Sequence, residues 1–192
     1  VLSHAAESFV ATGAGTISRA LAADAFSAAF DHLPASYRGE TAVRQRIHEA
    51  ATMAGMAFSQ SGLGLCHAMA HVLGGVFHLP HGRLNAMLLP GVITCNAYAA
   101  MSRYAGLARS AGIGGQADSV AVRNLKNALI RLRKQLDMPA TLAQAGIDPA
   151  RVRQQSQHLV AAVLADPCCQ TNPIGVEAFM VRSILDEVTG HV

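Results

Sequence analysis

Gly62-Leu-Gly-Leu-Cys-His67-Ala-Met-Ala-His71-Val-Leu-Gly-Gly-Val-Phe-His-Leu-Pro-His81-Gly82 is the stretch on which the reading of this chain turns. His67 and His71 are four residues apart, which on a helix places both imidazoles on one face. His81 follows a Gly-Gly pair and a proline able to turn the chain back toward them. An imidazole set among Leu, Met, Val and Ala is costly unless both ring nitrogens have partners, and a divalent cation supplies one. A buried core histidine satisfied by hydrogen bonds is the plainer alternative for each of them taken singly.

Outward from this stretch, the segment from Ala50 to Met101 holds Arg83 as its only Asp, Glu, Lys or Arg. Ser59-Gln60-Ser61, the histidines, Asn85, Pro90-Gly91 and Asn96 interrupt it before any clean apolar run of about 20 residues accumulates, so it reads as buried core rather than a membrane span. Only 14% of the 192 residues are charged, against roughly 25% in typical soluble domains, which implies an unusually apolar surface of the kind a partner domain covers. The net charge of +3, scattered basic residues and few aromatics give no support to a nucleic-acid groove. No secretory signal is visible, and Cys66, Cys95 and the vicinal Cys168-Cys169 have neither zinc-ribbon nor disulfide-framework spacing. The expected setting is a reducing cytoplasm, with a bacterial microcompartment as a variant of it.

Periodicity predicts helices nearly throughout and no strand, an all-α class. The expected segments are Leu2 to Ala11, Ile17 to Phe30 with Thr16 as N-cap and Pro34 as stop, and Thr41 to Ser59. The histidine helix, Leu63 to Leu73, is expected to end at Gly74-Gly75. Leu84 to Met101 with a break near Pro90, and Arg103 to Ala111, follow. Ser119 caps a helix to Leu136 with a stripe of Val122, Leu125, Leu129, Leu132 and Leu136. A turn over Thr141 to Ala145 leads to a helix from Asp148-Pro149 to Ala165, and Val176 to Thr189 closes at Gly190.

Gly-Leu-Gly-Leu-x-His-x-Met-Ala-His-x-Leu-Gly-Gly followed by Phe-His-Leu-Pro-His-Gly-x-x-Asn-Ala-Met-Leu-Leu-Pro closely resembles the signature of the iron-containing (group III) alcohol dehydrogenases. Leu2-Ser3-His4-Ala5-Ala6-Glu7 and Thr171-Asn172-Pro173 are similar to two further family segments. The wording around Met53 to Gln60 and Phe77 to His81 is most similar to the short-chain, propanol-type members, with maleylacetate reductases more distant. The resemblance implies the multi-helix C-terminal domain of the dehydroquinate synthase-like fold, residues 1–192 forming one helical metal-binding catalytic domain. It places the dinucleotide-binding α/β domain outside this chain, where no Gly-x-Gly-x-x-Gly occurs.

Carried over residue by residue, the resemblance makes His4, His67 and His81 metal ligands, with an Asp ligand falling one position before Val1. It sets His71 beside nicotinamide and substrate, as a proton-transfer and cofactor-contacting residue; a hydrogen-bonding role holding the site is its alternative. His78 reads as a loop histidine at the rim, Glu7 as a partner for a neighbouring group, and Met53, Met56, Met69 and Met87 as core. Ile174 stands where the family usually has Arg. The implied cofactors are iron(II), with zinc also accepted by the ligand set, and NAD(H) or NADP(H). The implied activity interconverts a small alcohol and its aldehyde, in a homo-oligomer, with neither nucleic acid nor membrane as partner, and the chain alone is expected to be inactive. A non-catalytic helical metal-binding or assembly module, and a lyase of the dehydroquinate synthase type, are the other classes open to this fold.

Overall fold

The computed structural model describes residues 1–190. The described residues form eight α-helices: α1 (Leu2–Val10), α2 (Thr16–Tyr37), α3 (Arg44–Ser61), α4 (Leu65–Phe77), α5 (His81–Ser110), α6 (Asp118–Gln135), α7 (Pro149–Ala165) and α8 (Ala178–Thr189). There is no strand among the described residues. Two 3-10 turns, Thr41–Val43 and Pro167–Thr171, lead into α3 and away from α7. α1, α2 and α3 pack together, α5 lies along α6, and α4 is enclosed by α1, α5 and α7. The resulting core is aliphatic, centred on Leu65, Met69, Leu73, Leu84, Leu88, Ile93 and Leu107, with Phe26 and Tyr104 as its bulky members. Buried apolar surface of this kind contributes about 25 cal/mol per Å² and holds the helices together where propensity alone would not.

Several boundaries differ from those the periodicity predicts. α2 runs through Pro34 to Tyr37 and starts from Gly15, whose backbone N–H donates to Ser18 Oγ at 2.9 Å. α5 runs unbroken through Pro90. A proline inside a helix forfeits one hydrogen bond and costs about 3 kcal/mol, but Leu88, Leu89, Val92 and Ile93 around Pro90 are all buried, and that packing outweighs the loss. The real discontinuity in α5 is Ala100, at φ −126° and ψ 23°, close to the expected break between Met101 and Arg103. α4 passes Gly74-Gly75 and ends at His78, whose backbone is left-handed at φ 55° and whose N–H donates to Gly74 O at 2.9 Å. A Cβ on Gly74 would lie 3.5 Å from Leu84 Cδ1, so this glycine sits at the α4–α5 approach rather than at a stop. α6 starts at Asp118 with Ala117 as N-cap, two residues ahead of the expected cap Ser119. Asp148-Pro149 opens α7 as read, Asp148 accepting from Ala150 N.

α5 is long and apolar enough by composition to cross a bilayer, yet its apolar side chains are packed against α4, α6 and α8. An apolar cleft of about 320 Å³ opens between the C-terminal parts of α2 and α6 and the start of α5, lined among others by Val1, Leu33, Tyr37, Leu89 and Leu132.

Candidate metal centre

The site is built on the N-terminus of α4. Four consecutive amides there have no partner within the helix, and two distant side chains take them all. Glu7 of α1 accepts from Gly64 N at 3.2 Å, Cys66 N at 2.7 Å and His67 N at 3.2 Å. Asn172 Oδ1 accepts from Leu65 N at 3.2 Å. A carboxylate at the positive end of a helix is electrostatically well placed. Glu7 is only 1% exposed, which makes this one of the few acceptable places for a carboxylate in such a core.

The Gly-Leu-Gly segment is the price of that arrangement. A Cβ on Gly64 would come 2.8 Å from both Asn172 Oδ1 and Glu7 Oε1, and one on Gly62, at φ +78°, would collide with the Thr171 side chain. Thr171 Oγ1 donates to Leu63 O at 2.7 Å, while Asn172 Nδ2 donates to Asn96 Oδ1 at 2.9 Å and to Ile174 O at 2.8 Å. Thr-Asn-Pro is therefore a clamp on the loop ahead of α4. Ile174 packs its side chain against the main core. Gly64→Ala is expected to destabilise the chain by about 1–3 kcal/mol through overpacking, measured as a lowered urea midpoint at unchanged slope; a wild-type midpoint would contradict this account of the motif.

Glu7 also fixes His67. Its Oε2 lies 2.6 Å from His67 Nδ1, so Nδ1 carries the proton and donates to the carboxylate, leaving a lone pair on Nε2. That Nε2 is buried and has no hydrogen-bond partner among the described residues. An unsatisfied buried polar atom costs about 1–3 kcal/mol and calls for an explanation. The ring that carries it lies in a cluster of imidazoles. One ring nitrogen each of His4, His67 and His81 lies within 4.8 Å of the others, with ring centroids 4.4 Å apart for His4 and His67 and 5.3 Å for His67 and His81.

The other two rings are held as well. His4 stacks on Phe58 of α3 at 4.7 Å. Burial, then the neighbouring His67 and other positive charge nearby, lowers its pKa to about 3, so the ring is neutral and keeps its lone pair. His81 is lowered too, by burial first and by His67 and His71 after it. Asn85, one turn along α5, donates through Nδ2 to His81 Nε2 at 2.9 Å, and its Oδ1 accepts from the Cys66 thiol at 3.2 Å. Coordination through His81 Nε2 requires that amide contact to open. Three clustered imidazoles, one of them with a buried nitrogen that has no partner, are a donor set that fits iron(II) or zinc.

His71 stands beside this cluster. Its ring stacks with His81 at 5.4 Å between centroids, and its Nδ1 lies 3.0 Å from Asp166 Oδ2. Asp166 itself is held below the usual carboxylate range by hydrogen bonds from Cys168 and His71, which outweigh its partial burial. His78 serves as the left-handed cap of α4 and joins neither group of ligating atoms. The met residues behave as expected only in part: Met69 and Met87 are buried, whereas Met56 is 51% exposed.

The sequence reading leaves Asp166 unmarked, marks Asn85 and Asn96 only as polar interruptions of an apolar run, and offers Asn172 only as part of the Thr-Asn-Pro resemblance, with no site role for any of them. Asp166-Pro167 carries the same cap-and-proline signature that marks Asp148-Pro149, and Asp166 does accept from Cys168 N; the five-residue turn it opens is too short to show periodicity.

Comparison with known proteins agrees with this architecture. The Fe-containing alcohol dehydrogenase family, C-terminal, matches residues 1–189. The chain is 42% identical over 196 residues to the 1-propanol dehydrogenase of Salmonella typhimurium, covering 98% of this chain and 52% of that protein. It is 37% identical over 172 residues to the NADPH-dependent butanol dehydrogenase of Clostridium saccharobutylicum, covering 90% and 44%. The solved 1,3-propanediol oxidoreductase superposes with a TM-score of 0.90 at 28% identity, over 97% of this chain and 49% of its own. The chain thus spans about half the length of these relatives. With that match running over nearly its whole length, the chain belongs to the Fe-containing alcohol dehydrogenase family and corresponds to its all-helical C-terminal domain.

Proposed function

We propose that this chain is the metal-holding and proton-transferring half of an alcohol dehydrogenase that interconverts a small primary alcohol and its aldehyde with NAD(H) or NADP(H). The observation that carries the reading is the buried, unpartnered Nε2 on the His67 ring, which clusters with His4 and His81. These three residues are the ones we assign to hold a divalent cation, iron by family and zinc by donor chemistry. When bound, such a cation supplies Lewis acidity that stabilises negative charge on an alcohol oxygen.

The rest of the chemistry belongs to the chain's own side chains. Glu7 keeps His67 in the tautomer whose Nε2 donates an electron pair. Burial keeps His4 neutral for the same task. Asp166 holds the proton of His71 on Nδ1, so Nε2 is the basic atom and takes the alcohol proton during oxidation, returning it in the reverse direction. When bound, a nicotinamide would supply the hydride acceptor for oxidation and the hydride donor for reduction. We assign the grip on that dinucleotide to sequence matching the other half of the relatives, whose printed names include an NADPH-dependent butanol dehydrogenase. The four thiols are free, in keeping with a cytoplasmic setting, and a homo-oligomer is the expected assembly.

The test is a chimera in which the N-terminal half of the Salmonella 1-propanol dehydrogenase precedes Val1. Loaded with Fe(II), it is expected to reduce propionaldehyde and oxidise propanol, whereas the 192-residue chain alone gives no turnover. A folded, iron-bearing chimera without alcohol–aldehyde activity would overturn the reading.

A further inference from the structure

At the end of α7 the Asp166 carboxylate accepts from Cys168 N at 2.8 Å, which turns the following segment so that the Cys168 thiol comes back beside it. Across from them, on α4, His71 presents Nδ1 at 3.0 Å from Asp166 Oδ2. One donor atom from each of His71, Asp166 and Cys168 lies within 4.8 Å of the other two. Tetrahedral zinc, with bonds of about 2.0–2.3 Å, holds its ligands roughly 3.4–3.8 Å apart, so closure on a cation needs about an ångström of side-chain movement. His71 is 45% exposed and Asp166 13%, so the group borders solvent on the His71 side.

The donor set differs in kind from the neighbouring one. His4, His67 and His81 offer nitrogen only; this group offers one nitrogen, one oxygen and one sulfur, and thiolate selects zinc and cadmium over magnesium or calcium. Cys169 is turned away, its Sγ donating to Val163 O at 3.1 Å. We propose that His71, Asp166 and Cys168 form a second cation site for a thiophilic divalent metal, zinc by preference, with its fourth position open to solvent. On binding, the Cys168 S–H bond breaks, sulfur keeps the electron pair and donates it to the cation, and the proton leaves to solvent. If His71 transfers protons as assigned above, a cation here occupies its ring and inhibits turnover; the binding test below does not depend on that assignment.

Cadmium is the probe, because a cadmium–thiolate bond absorbs in the ultraviolet and the all-imidazole cluster cannot produce that signal. Titrating the 192-residue chain with Cd²⁺ is expected to give a sulfur-to-metal charge-transfer band that Zn²⁺ displaces. Cys168→Ser removes the band. Asp166→Asn and His71→Ala weaken cadmium affinity by more than the roughly 10- to 100-fold typical of losing an outer hydrogen-bond partner. His67→Ala and Cys169→Ser retain the band, and thermal melts of each variant establish that it is folded. Absence of the band in the wild-type chain, or its survival in Cys168→Ser, overturns the proposal. Loss in His67→Ala also overturns it, because the thiolate would then belong to the imidazole cluster's cation.

Discussion

His67→Ala is expected to abolish both iron retention and turnover in the chimera, while His71→Ala keeps its iron and loses kcat by roughly 10²- to 10⁴-fold, the range for a positioned acid–base group. The two residues share a helix face four positions apart, so spacing treats them alike and only the family resemblance gives them different roles. The structure separates them. His67 is 1% exposed, its Nδ1 is committed to Glu7, and its buried Nε2 has no hydrogen-bond partner among the described residues. His71 is half exposed and tied to Asp166. Removing His67 therefore deletes an electron-pair donor that nothing nearby replaces. Removing His71 deletes a proton acceptor but leaves the three clustered rings in place. Iron content after gel filtration, measured with kcat on the same preparations, checks both halves. If His71→Ala loses iron as fully as His67→Ala, the division of roles is wrong and His71 belongs with the ligands.

Glu7→Ala is expected to cost about 3–5 kcal/mol, because it strands the His67 imidazole and three backbone amides in a dry interior. For a chain of this size that corresponds to a fall in Tm of roughly 6–20 °C. Glu7→Gln separates the structural and electronic parts. The amide keeps one accepting oxygen but turns an NH₂ toward groups that are themselves donors, and it removes the negative charge from the start of α4. It is expected to retain more stability than Glu7→Ala while lowering metal affinity about 10- to 100-fold, as loss of a ligand's hydrogen-bond partner does. Thermal melts and a competition assay with a chromophoric chelator read the two effects. A Glu7→Ala variant melting within about 2 °C of wild type would contradict the buried hydrogen bonds as described.

The helical class was legible because α1, α6, α7 and α8 each carry an apolar stripe at helical spacing, and Asp148-Pro149 marks a start by chemistry that needs no tertiary context. The errors came where tertiary packing overrides a local signal. Pro34 reads as a stop, Pro90 as a break and Gly74-Gly75 as a terminator, yet the chain stays helical through all of them because packing against neighbouring helices outweighs the local cost. For the site, the i, i+4 pair His67 and His71 was visible as such, and the Pro-His-Gly turn gave His81. What joins His4 to them is not a local pattern. Glu7 meets His67 across 60 residues, and His71 meets Asp166 across 95. No periodicity encodes such pairings; only the family resemblance pointed to His4, and nothing pointed to Asp166.

The amides at the start of α4 are bound by residue 7 from one direction and residue 172 from the other, over separations of 57 to 60 and of 107 residues. Chain entropy makes such closures late events, since the intervening loops must be ordered before the contacts return any free energy. During folding, α2 and α3, joined by a short connection, have the shorter route to each other. The imidazole cluster then assembles only once both distant ends of the sequence have docked on the Gly62–Gly64 loop. The order has a chemical consequence for the proposed cation site: a half-folded chain does not present the three rings together, so a metal captured by all three would wait for the native topology instead of pinning a wrong one.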